Sequence, residues 1–225
     1  MRVVGGTWRG RPLSAPPGRG TRPTSDKVRE AMFDVLLALP EVRGGNLIAR
    51  APADHRAADE HAAGPLAGHV VLDAFAGSGA LGIEALSRGA DRCTFVESAP
   101  LAVRTLRGNL GRIGVSVGRA GGAPAAAAVV AGDVRRALAA DARRGARYTL
   151  VFADPPYDVY EQVRPALARL LGRVLVPGAV LVIESAAATP AGLPWTVVRE
   201  KRYGDTRVTF LVAGAEPQAE GETAD

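Results

Sequence analysis

The chain has little cysteine and histidine, and this scarcity argues against two common kinds of site. Cys93 is the only cysteine among 225 residues, so no disulfide can form within the chain. The three histidines are scattered, and together with Cys93 they make no metal-binding spacing. A charged leader with an apolar core is missing, as is any apolar run long enough to span a bilayer. We therefore expect a cytoplasmic protein without a bound metal.

Charge is distributed unevenly along the chain. The overall composition, 47% hydrophobic and 23% charged, suits one globular α/β domain with a small extension. The net charge is +5, but residues 1–29 carry seven basic side chains and one acid, which gives +6. Residues 216–225 carry four acids and no base. The basic arm favours a nucleic-acid partner, and a general compositional bias toward arginine is the alternative explanation.

Residues 69–82, HVVLDAFAGSGALG, are the segment around which the rest of the chain is arranged. A short apolar run that meets glycines predicts a buried strand, a tight turn and then a helix. Gly77, Gly79 and Gly82 fit the pattern G-x-G-x-x-G of dinucleotide-binding turns. Asp73, at the end of the strand, would oppose a pyrophosphate but suits an ammonium group, such as that of S-adenosylmethionine. A structural acid that caps the turn is the alternative.

Two further predicted strands end in an acid. Residues 93–97 end at Glu97, which lies 20 residues beyond Gly77, where a ribose-binding acid is expected. Its two carboxylate oxygens can accept hydrogen bonds from both ribose hydroxyls. Residues 129–133 end at Asp133, which could accept a hydrogen bond from an adenine amino group or cap the following helix.

Strands and helices alternate along the chain, which predicts a mostly parallel sheet with helices on both faces. We expect an α/β, doubly wound, Rossmann-like fold whose seven-stranded sheet ends in an antiparallel hairpin. The remaining strands are predicted at residues 148–153, 179–184, 196–201 and 206–212. The predicted organisation is a basic hairpin and helix at 1–42, a flexible insertion at 43–68, a catalytic domain at 69–213 and an acidic disordered tail at 214–225. A second loop insertion is predicted at 116–128.

The amino-terminal segment is predicted to form a hairpin and a helix. Residues 2–13 indicate a hairpin with its turn at Gly5 and Gly6. An amphipathic helix follows, with Thr24 or Ser25 as its cap. Arginines beside a tryptophan in the hairpin suit RNA, and a purely structural ribbon with solvated arginines is the alternative.

The fourth predicted strand leads into Asp154, Pro155, Pro156 and Tyr157, the predicted catalytic residues. In a doubly wound sheet this loop faces the glycine turn, where the strand order reverses. The prolines remove donors and fix the backbone, which leaves the Asp154 side chain and the Pro155 carbonyl as acceptors. Tyr157 offers a flat face on which a base can stack. Acceptors that hold the hydrogens of an exocyclic amino group aim its lone pair at a methyl sulfonium; a rigid turn with a packed tyrosine is the alternative.

The sequence also resembles a known family. Residues 154–157 are similar to the amino-methyltransferase signature of S-adenosylmethionine enzymes. Further matching motifs occur at residues 4–10, 22–24, 28–30, 73–82 and 84–89. Together these motifs span most of the chain and resemble those of the bacterial small-subunit rRNA guanine-N2 methyltransferases, the RsmD family. This resemblance implies the class I methyltransferase fold, S-adenosylmethionine as cofactor, and methylation of one guanine in 16S rRNA, within a small-subunit particle or an assembly intermediate.

The resemblance implies roles for individual residues. The implied cofactor-binding residues are Asp73, Phe75, Gly77, Ser78, Gly79, Glu97 and Asp133. We expect the basic arm to hold the rRNA backbone, and the predicted RNA-binding residues are Arg9, Arg11, Arg22, Thr24 and Arg29. The insertions at 43–68 and 116–128 and the acidic tail depart from the family pattern.

Three other functions are considered. An adenine-N6 methyltransferase acting on DNA would use the same proline corner, but the chain has no separate DNA-recognition domain. A nicotinamide-dependent oxidoreductase would use the glycine turn but would leave Asp73 and residues 154–157 unexplained. An RNA-binding protein without activity would not need Asp154.

Overall fold

A computed structural model describes residues 1–16, 25–43, 64–118 and 125–214. The strands in these ranges are β1 (Val70–Asp73), β2 (Arg92–Glu97), β3 (Val117–Gly118), β4 (Ala127–Ala131), β5 (Tyr148–Ala153), β6 (Leu175–Ala186), β7 (Thr196–Tyr203) and β8 (Thr206–Val212). The helices are α1 (Asp26–Ala38), α2 (Pro40–Arg43), α3 (Ala80–Ser87), α4 (Pro100–Ile113), α5 (Val134–Arg143) and α6 (Tyr157–Leu171). Within the described ranges, no helix has the length and apolar character needed to cross a membrane.

The strands form one sheet in the order β3-β4-β2-β1-β5-β6-β8-β7. Neighbouring strands from β3 to β6 are parallel, and β8 runs antiparallel to both β6 and β7. The predicted doubly wound, mostly parallel fold is therefore confirmed. The strand order reverses between β1 and β5, and loops that follow these two strands lie at the ligand-binding crevice of such folds.

The sheet has one strand more than the seven expected. Strand β3 pairs with the start of β4, since Val117 aligns with Ala127 and Gly118 with Ala128. The prediction of a loop insertion at 116–128 is therefore wrong at both of its ends, which are strands. Strand β3 has only two residues and lies in a glycine- and alanine-rich stretch, so its pattern is too short to predict a strand.

The two faces of the sheet are covered by different helices. Ile83 of α3 and Leu106 of α4 belong to the hydrophobic cluster on one face, together with residues of α1. Leu138 of α5 and Leu167 of α6 belong to the cluster on the other face. Because both faces are covered, every residue of β5 is buried, as is typical of a central parallel strand.

The amino-terminal arm packs into the first of these clusters through Val3 and Leu13. An antiparallel bridge joins Arg2 to Pro12, so residues 2–13 do form a hairpin-like loop. The turn predicted at Gly5 and Gly6 is wrong, because the chain turns later, over residues 7–10. A Cβ on Gly6 would lie 1.8 Å from the carbonyl oxygen of Ser87, so this glycine allows the arm to contact the end of α3.

Arg29 is fully buried, so the prediction that it contacts RNA is wrong. Its guanidinium donates a hydrogen bond to Asp26 at 2.9 Å, and its Nε lies 3.7 Å from the buried carboxylate of Glu84. Glu84 also accepts hydrogen bonds from the Val4 backbone and from Arg88, each at 2.8 Å. Arg29 therefore joins α1, α3 and the amino-terminal arm. Its burial could not be predicted from the local pattern, because Glu84 is distant in the chain.

The predicted insertion at 43–68 is only partly described. Leu66 is fully buried, and its backbone N–H donates to the Arg88 carbonyl at 3.0 Å. The prediction of flexibility is therefore wrong for residues 64–68. Residues 44–63, which include His55 and His61, lie outside the described residues, as do 215–225 of the predicted acidic tail.

Candidate active site

Each of five neighbouring parallel strands has an acid within two residues of its carboxyl end. In the spatial order β4, β2, β1, β5 and β6, these acids are Asp133, Glu97, Asp73, Asp154 and Glu184. Asp73 aligns with Phe152, two residues before Asp154, and Ala153 aligns with Ile183, the neighbour of Glu184. The prediction that the glycine turn and residues 154–157 adjoin at one edge of the sheet is therefore confirmed.

The glycine turn is held between two strands. The backbone N–H of Ala74 donates to β5 and that of Ala76 donates to β2, each at 2.9 Å. Gly77 has φ +54° and Gly79 φ +81°, a left-handed conformation that other residues rarely adopt. The space beside the Gly77 Cα is empty to 4 Å, so a ligand can approach its backbone closely.

Gly82, the third glycine, has a different role. A Cβ on Gly82 would lie 2.3 Å from the Phe95 ring and 2.6 Å from the sulfur of Cys93. Its lack of a side chain therefore lets α3 pack directly on β2. Cys93 is buried in the middle of β2 and burial raises the pKa of its thiol, so it is not placed to be a nucleophile.

Asp73 and Glu97 both face the glycine turn. Asp73 is buried and accepts a hydrogen bond from the Gly82 backbone at 3.0 Å. Burial raises the pKa of Asp73 to about 7, and the nearby Glu97 carboxylate also raises it. Glu97 accepts hydrogen bonds from the backbones of Gly77 at 2.8 Å and Ala99 at 2.7 Å. A cationic ligand group beside Asp73 would reduce both the cost of burying this carboxylate and its repulsion from Glu97.

Asp133 caps α5, one of the two roles that the sequence left open. Its carboxylate accepts hydrogen bonds from the backbones of Arg135 at 2.9 Å and Arg136 at 3.3 Å. The hydrogen bond from the Arg135 side chain is the main cause that lowers the pKa of Asp133. A contact between Asp133 and adenine stays a prediction.

The remaining two predicted cofactor residues lie in the turn itself. Phe75 is half-buried and packs against the cluster on the α5 and α6 face. Ser78 is buried, and its hydroxyl contacts the sulfur of Met1 at 3.5 Å. The amino terminus therefore reaches the edge of the glycine turn.

The acidic proline corner, which we define as residues 154–157, leads directly into α6. Pro155 is buried, Pro156 is the residue that precedes the helix, and Tyr157 is its first residue. The Tyr157 side chain is 47% exposed, and its hydroxyl lies 2.8 Å from the Thr206 hydroxyl. The ring is thus anchored at its hydroxyl while the residue keeps an exposed surface on which a base can stack.

Sequence reasoning gave no role to Glu184, although the structure places it near this corner. Glu184 is buried two residues before the end of β6, next to the strand that leads into Asp154. Burial raises the pKa of Tyr157, and the carboxylates of Glu184, Asp154 and Asp205 raise it further. The signal was present in the sequence, because Glu184 ends an apolar run in the same way as Asp73.

Asn109 was also missed, and it connects the amino-terminal arm to the glycine turn. This side chain is fully buried and donates to the carbonyls of Ser78 at 2.9 Å and Ser14 at 3.0 Å. Its oxygen accepts from the Ser14 backbone at 2.9 Å. A polar residue on the apolar face of α4, beside Leu106 and Leu110, was the available signal.

The predicted RNA-binding residues are only partly described. Arg9 and Arg11 are exposed, and the Arg11 side chain donates to the Ile113 carbonyl at 2.9 Å, at the end of α4. Arg22 and Thr24 lie outside the described residues. Among the residues that are described, no group of three or more His, Cys, Asp and Glu side chains is arranged to hold a metal ion.

This combination of a doubly wound sheet, a glycine turn after β1 and an acidic proline corner after β5 is the class I S-adenosylmethionine-dependent methyltransferase fold. The family model described as Conserved hypothetical protein 95 matches residues 1–212. The ribosomal RNA small subunit methyltransferase D of Escherichia coli (strain K12) is 31% identical over 99% of this chain and 93% of that protein. The chain therefore belongs to the RsmD family of rRNA methyltransferases, as its motifs predicted.

Two further similarities agree with this assignment. The YlbH protein of Bacillus subtilis (strain 168), whose name describes a candidate rRNA methyltransferase, is 37% identical over 76% of this chain and 73% of that protein. The solved structure of yhhF from Escherichia coli, whose name describes a candidate methyltransferase, has a TM-score of 0.69 and 30% identity. That match covers 96% of this chain and 99% of yhhF.

Proposed function

We propose that this protein transfers a methyl group from S-adenosylmethionine to the 2-amino group of a guanine in small-subunit rRNA. Membership of the rRNA methyltransferase family carries the reaction class. The observation that supports amino-group chemistry is the position of the acidic proline corner, one strand away from the glycine turn. The choice of guanine is supported by the acceptors around that corner.

The residues at the glycine turn fit S-adenosylmethionine. One solved methyltransferase that shares this fold is named as dependent on this cofactor, and another is in complex with S-adenosylhomocysteine. Asp73 is a buried carboxylate at the place where the methionine ammonium group would lie, and Glu97 presents a carboxylate to the ribose hydroxyls. When bound, the cofactor supplies a methyl group on a positively charged sulfur. The open space beside Gly77 leaves room for it.

The acidic proline corner would position the base. Asp154 and the Pro155 carbonyl accept hydrogen bonds from the amino group, and Tyr157 stacks against the ring of a base that is flipped out or unpaired. Positioning of this kind can lower a barrier by roughly 7–11 kcal/mol. The Asp154 carboxylate also stabilises the positive charge that develops on the attacking nitrogen, which then releases one proton to solvent. No covalent enzyme intermediate is required.

The acids at the corner favour guanine over adenine. On the edge that carries its amino group, guanine presents the N1–H and N2–H donors side by side, whereas adenine presents an N1 acceptor beside its amino group. Asp154 and the buried Glu184 are acceptors on neighbouring strands. A carboxylate that faces the N1 acceptor of adenine would repel its lone pair, whereas the same carboxylate would accept a hydrogen bond from the N1–H of guanine.

A single assay tests this proposal. The purified protein is incubated with labelled S-adenosylmethionine and, separately, unmodified small-subunit particles, free 16S rRNA and duplex DNA, and the products are digested to nucleosides. We expect N2-methylguanosine from a ribosomal substrate and no label in DNA. An Asp154→Asn variant should be inactive, and Asp158→Asn, which changes an exposed acid four residues away, should remain active. Label in N6-methyladenine would contradict the proposal, as would binding of NADH without binding of S-adenosylmethionine.

A further inference from the structure

Strand β7 is the most exposed strand of the sheet. It lies at the end of the sheet order and pairs with β8. Every residue from Thr196 to Arg202 is exposed, including Val197 at 54% and Val198 at 37%. A strand of this length that is solvated on both faces contributes little to the core, so its side chains are available for another purpose.

Three of the seven exposed residues of β7 are basic. We define the β7 basic edge as Arg199, Lys201 and Arg202. The acid among them, Glu200, accepts a hydrogen bond from Arg207 of β8 at 3.0 Å, so its charge is already balanced. In the described part of the chain, no ion pair joins the β7 basic edge to a carboxylate. Three positive charges are therefore left facing solvent.

The β7 basic edge lies three strand spacings from the acidic proline corner. The turn between β7 and β8 lies at the carboxyl ends of the parallel strands, as residues 154–157 do, because Thr206 aligns with Ala186 at the end of β6. Tyr157 contacts Thr206, at 2.8 Å between the two hydroxyls. Arg202 aligns with Arg207, one residue behind Thr206. Three strand spacings of about 4.8 Å separate β7 from β5, so the edge is about 14 Å from the corner.

We infer that the β7 basic edge binds the phosphodiester backbone of the rRNA that flanks the target base. This inference rests on the proposed function, because it takes Tyr157 as the place where the base stacks. A base that is turned into the corner leaves its neighbouring phosphates at the protein surface, and Arg and Lys are the side chains that hold them. The β7 basic edge provides positive charge on one side of the acidic proline corner, where no RNA-binding residue was predicted.

A different explanation is available for charges on an edge strand. Lys and Arg side chains there discourage pairing with the edge strand of another molecule. That role requires charge but no particular position relative to the active site, and it predicts a loss of solubility without a loss of RNA binding. The two explanations therefore differ in a measurable way.

The test compares two triple variants that each remove three positive charges. The first is Arg199→Ala/Lys201→Ala/Arg202→Ala. The matched control replaces three exposed arginines near the carboxyl ends of α5 and α6, at the amino ends of the parallel strands and so away from the acidic proline corner. This variant is Arg143→Ala/Arg169→Ala/Arg173→Ala. Filter binding to a 16S rRNA transcript is measured without cofactor over a series of salt concentrations. Cofactor binding and thermal unfolding show that each variant is folded.

We expect the first variant to bind the transcript roughly 10-fold or more weakly, with a salt slope lower by about 2, since each phosphate contact contributes about 0.7–0.9. The control should change by less than about 3-fold, and a variant with Lys and Arg exchanged at the three positions should keep most of the binding. Equal losses in both triple variants would overturn the inference, as would reduced solubility with unchanged RNA affinity. Methylation by the unaltered protein is scored separately, so a failure of the proposed function is not mistaken for a failure of the β7 basic edge.

Discussion

Replacement of Asp73 by asparagine should make the protein more stable at neutral pH while weakening its binding of S-adenosylmethionine. Asp73 is buried, and burial raises its pKa from 3.8 to about 7. Between these two values the unfolded chain has lost the proton that the folded protein still holds. The contribution of Asp73 to stability is therefore complete below pH 3.8 and falls as the pH rises to about 7. Asparagine cannot ionise, and its oxygen can still accept the hydrogen bond from Gly82.

The expected magnitude follows from the pKa. The rise in the pKa of Asp73 from 3.8 to about 7, at about 1.4 kcal/mol for each pH unit, corresponds to about 4 kcal/mol of unfolding free energy. The free energy of unfolding of Asp73→Asn, minus that of the unaltered protein, should rise by about this amount between pH 4 and pH 7 and stay constant above it. Urea unfolding at a series of pH values measures this difference, and groups that the two proteins share cancel. The control Asp158→Asn, at an exposed position, measures how far the loss of a surface carboxylate by itself changes this difference.

Cofactor binding should change in the opposite direction. A carboxylate that binds the methionine ammonium group must be ionised, so the affinity of the unaltered protein should fall about tenfold for each pH unit below 7. Asp73→Asn should bind roughly 10- to 150-fold more weakly at pH 7.5, from the loss of a charge-assisted hydrogen bond of about 1.5–3 kcal/mol, and should lack this pH dependence. Calorimetric titration measures both effects. A flat stability difference would show that the pKa of Asp73 is not raised in the folded protein, and an unchanged affinity would show that its carboxylate does not bind the ammonium group.

Four further substitutions test other parts of the site and fold. Asp154→Asn should lower kcat roughly 100-fold or more while cofactor affinity stays within about threefold; equal losses in both would contradict a role at the base. Glu184→Gln should lower kcat/KM for rRNA roughly tenfold at saturating cofactor, and an unchanged value would place Glu184 away from the guanine. Arg29→Ala should lower the free energy of unfolding in urea by up to about 3 kcal/mol, because it removes one of the two cations beside the buried Glu84 while Arg88 stays paired with it; a loss below about 1 kcal/mol would count against the network. Asn109→Leu should weaken cofactor binding roughly tenfold in calorimetry without changing RNA affinity, and a loss confined to RNA would contradict its link to Ser78.

The parts of the site that could be predicted from sequence are those whose geometry follows from local patterns and strand order. Asp73, Glu97 and Asp154 each end or follow a short apolar run, and parallel strands bring such ends to one edge of the sheet. The glycine turn could also be predicted from the sequence, because Gly77 and Gly79 adopt a conformation that few other residues tolerate.

The predictions that were wrong depend on contacts between distant parts of the chain. Gly5 and Gly6 have the composition of a hairpin turn, but the structure uses them where the arm contacts Ser87. Two glycines favour a tight turn and a close contact equally, and no pattern within residues 1–13 separates the two. Asn109 shows the same limit, since its partners Ser14 and Ser78 are 95 and 31 residues away.

The basic character of the amino-terminal arm must be reconsidered in the light of these contacts. Arg29 is buried against Glu84, Arg2 lies 3.8 Å from Asp26, and Arg11 is hydrogen-bonded to the end of α4. Several of the charges that suggested an RNA-binding arm therefore hold the arm in place on α1, α3 and α4. An arm fixed in this way still places Arg9 at the surface, but fewer of its charges are available to phosphates than its sequence suggests. Because electrostatic affinity for RNA depends on the number of phosphates contacted, the inferred phosphate contacts of the β7 basic edge would add to the contacts that the arm itself can make.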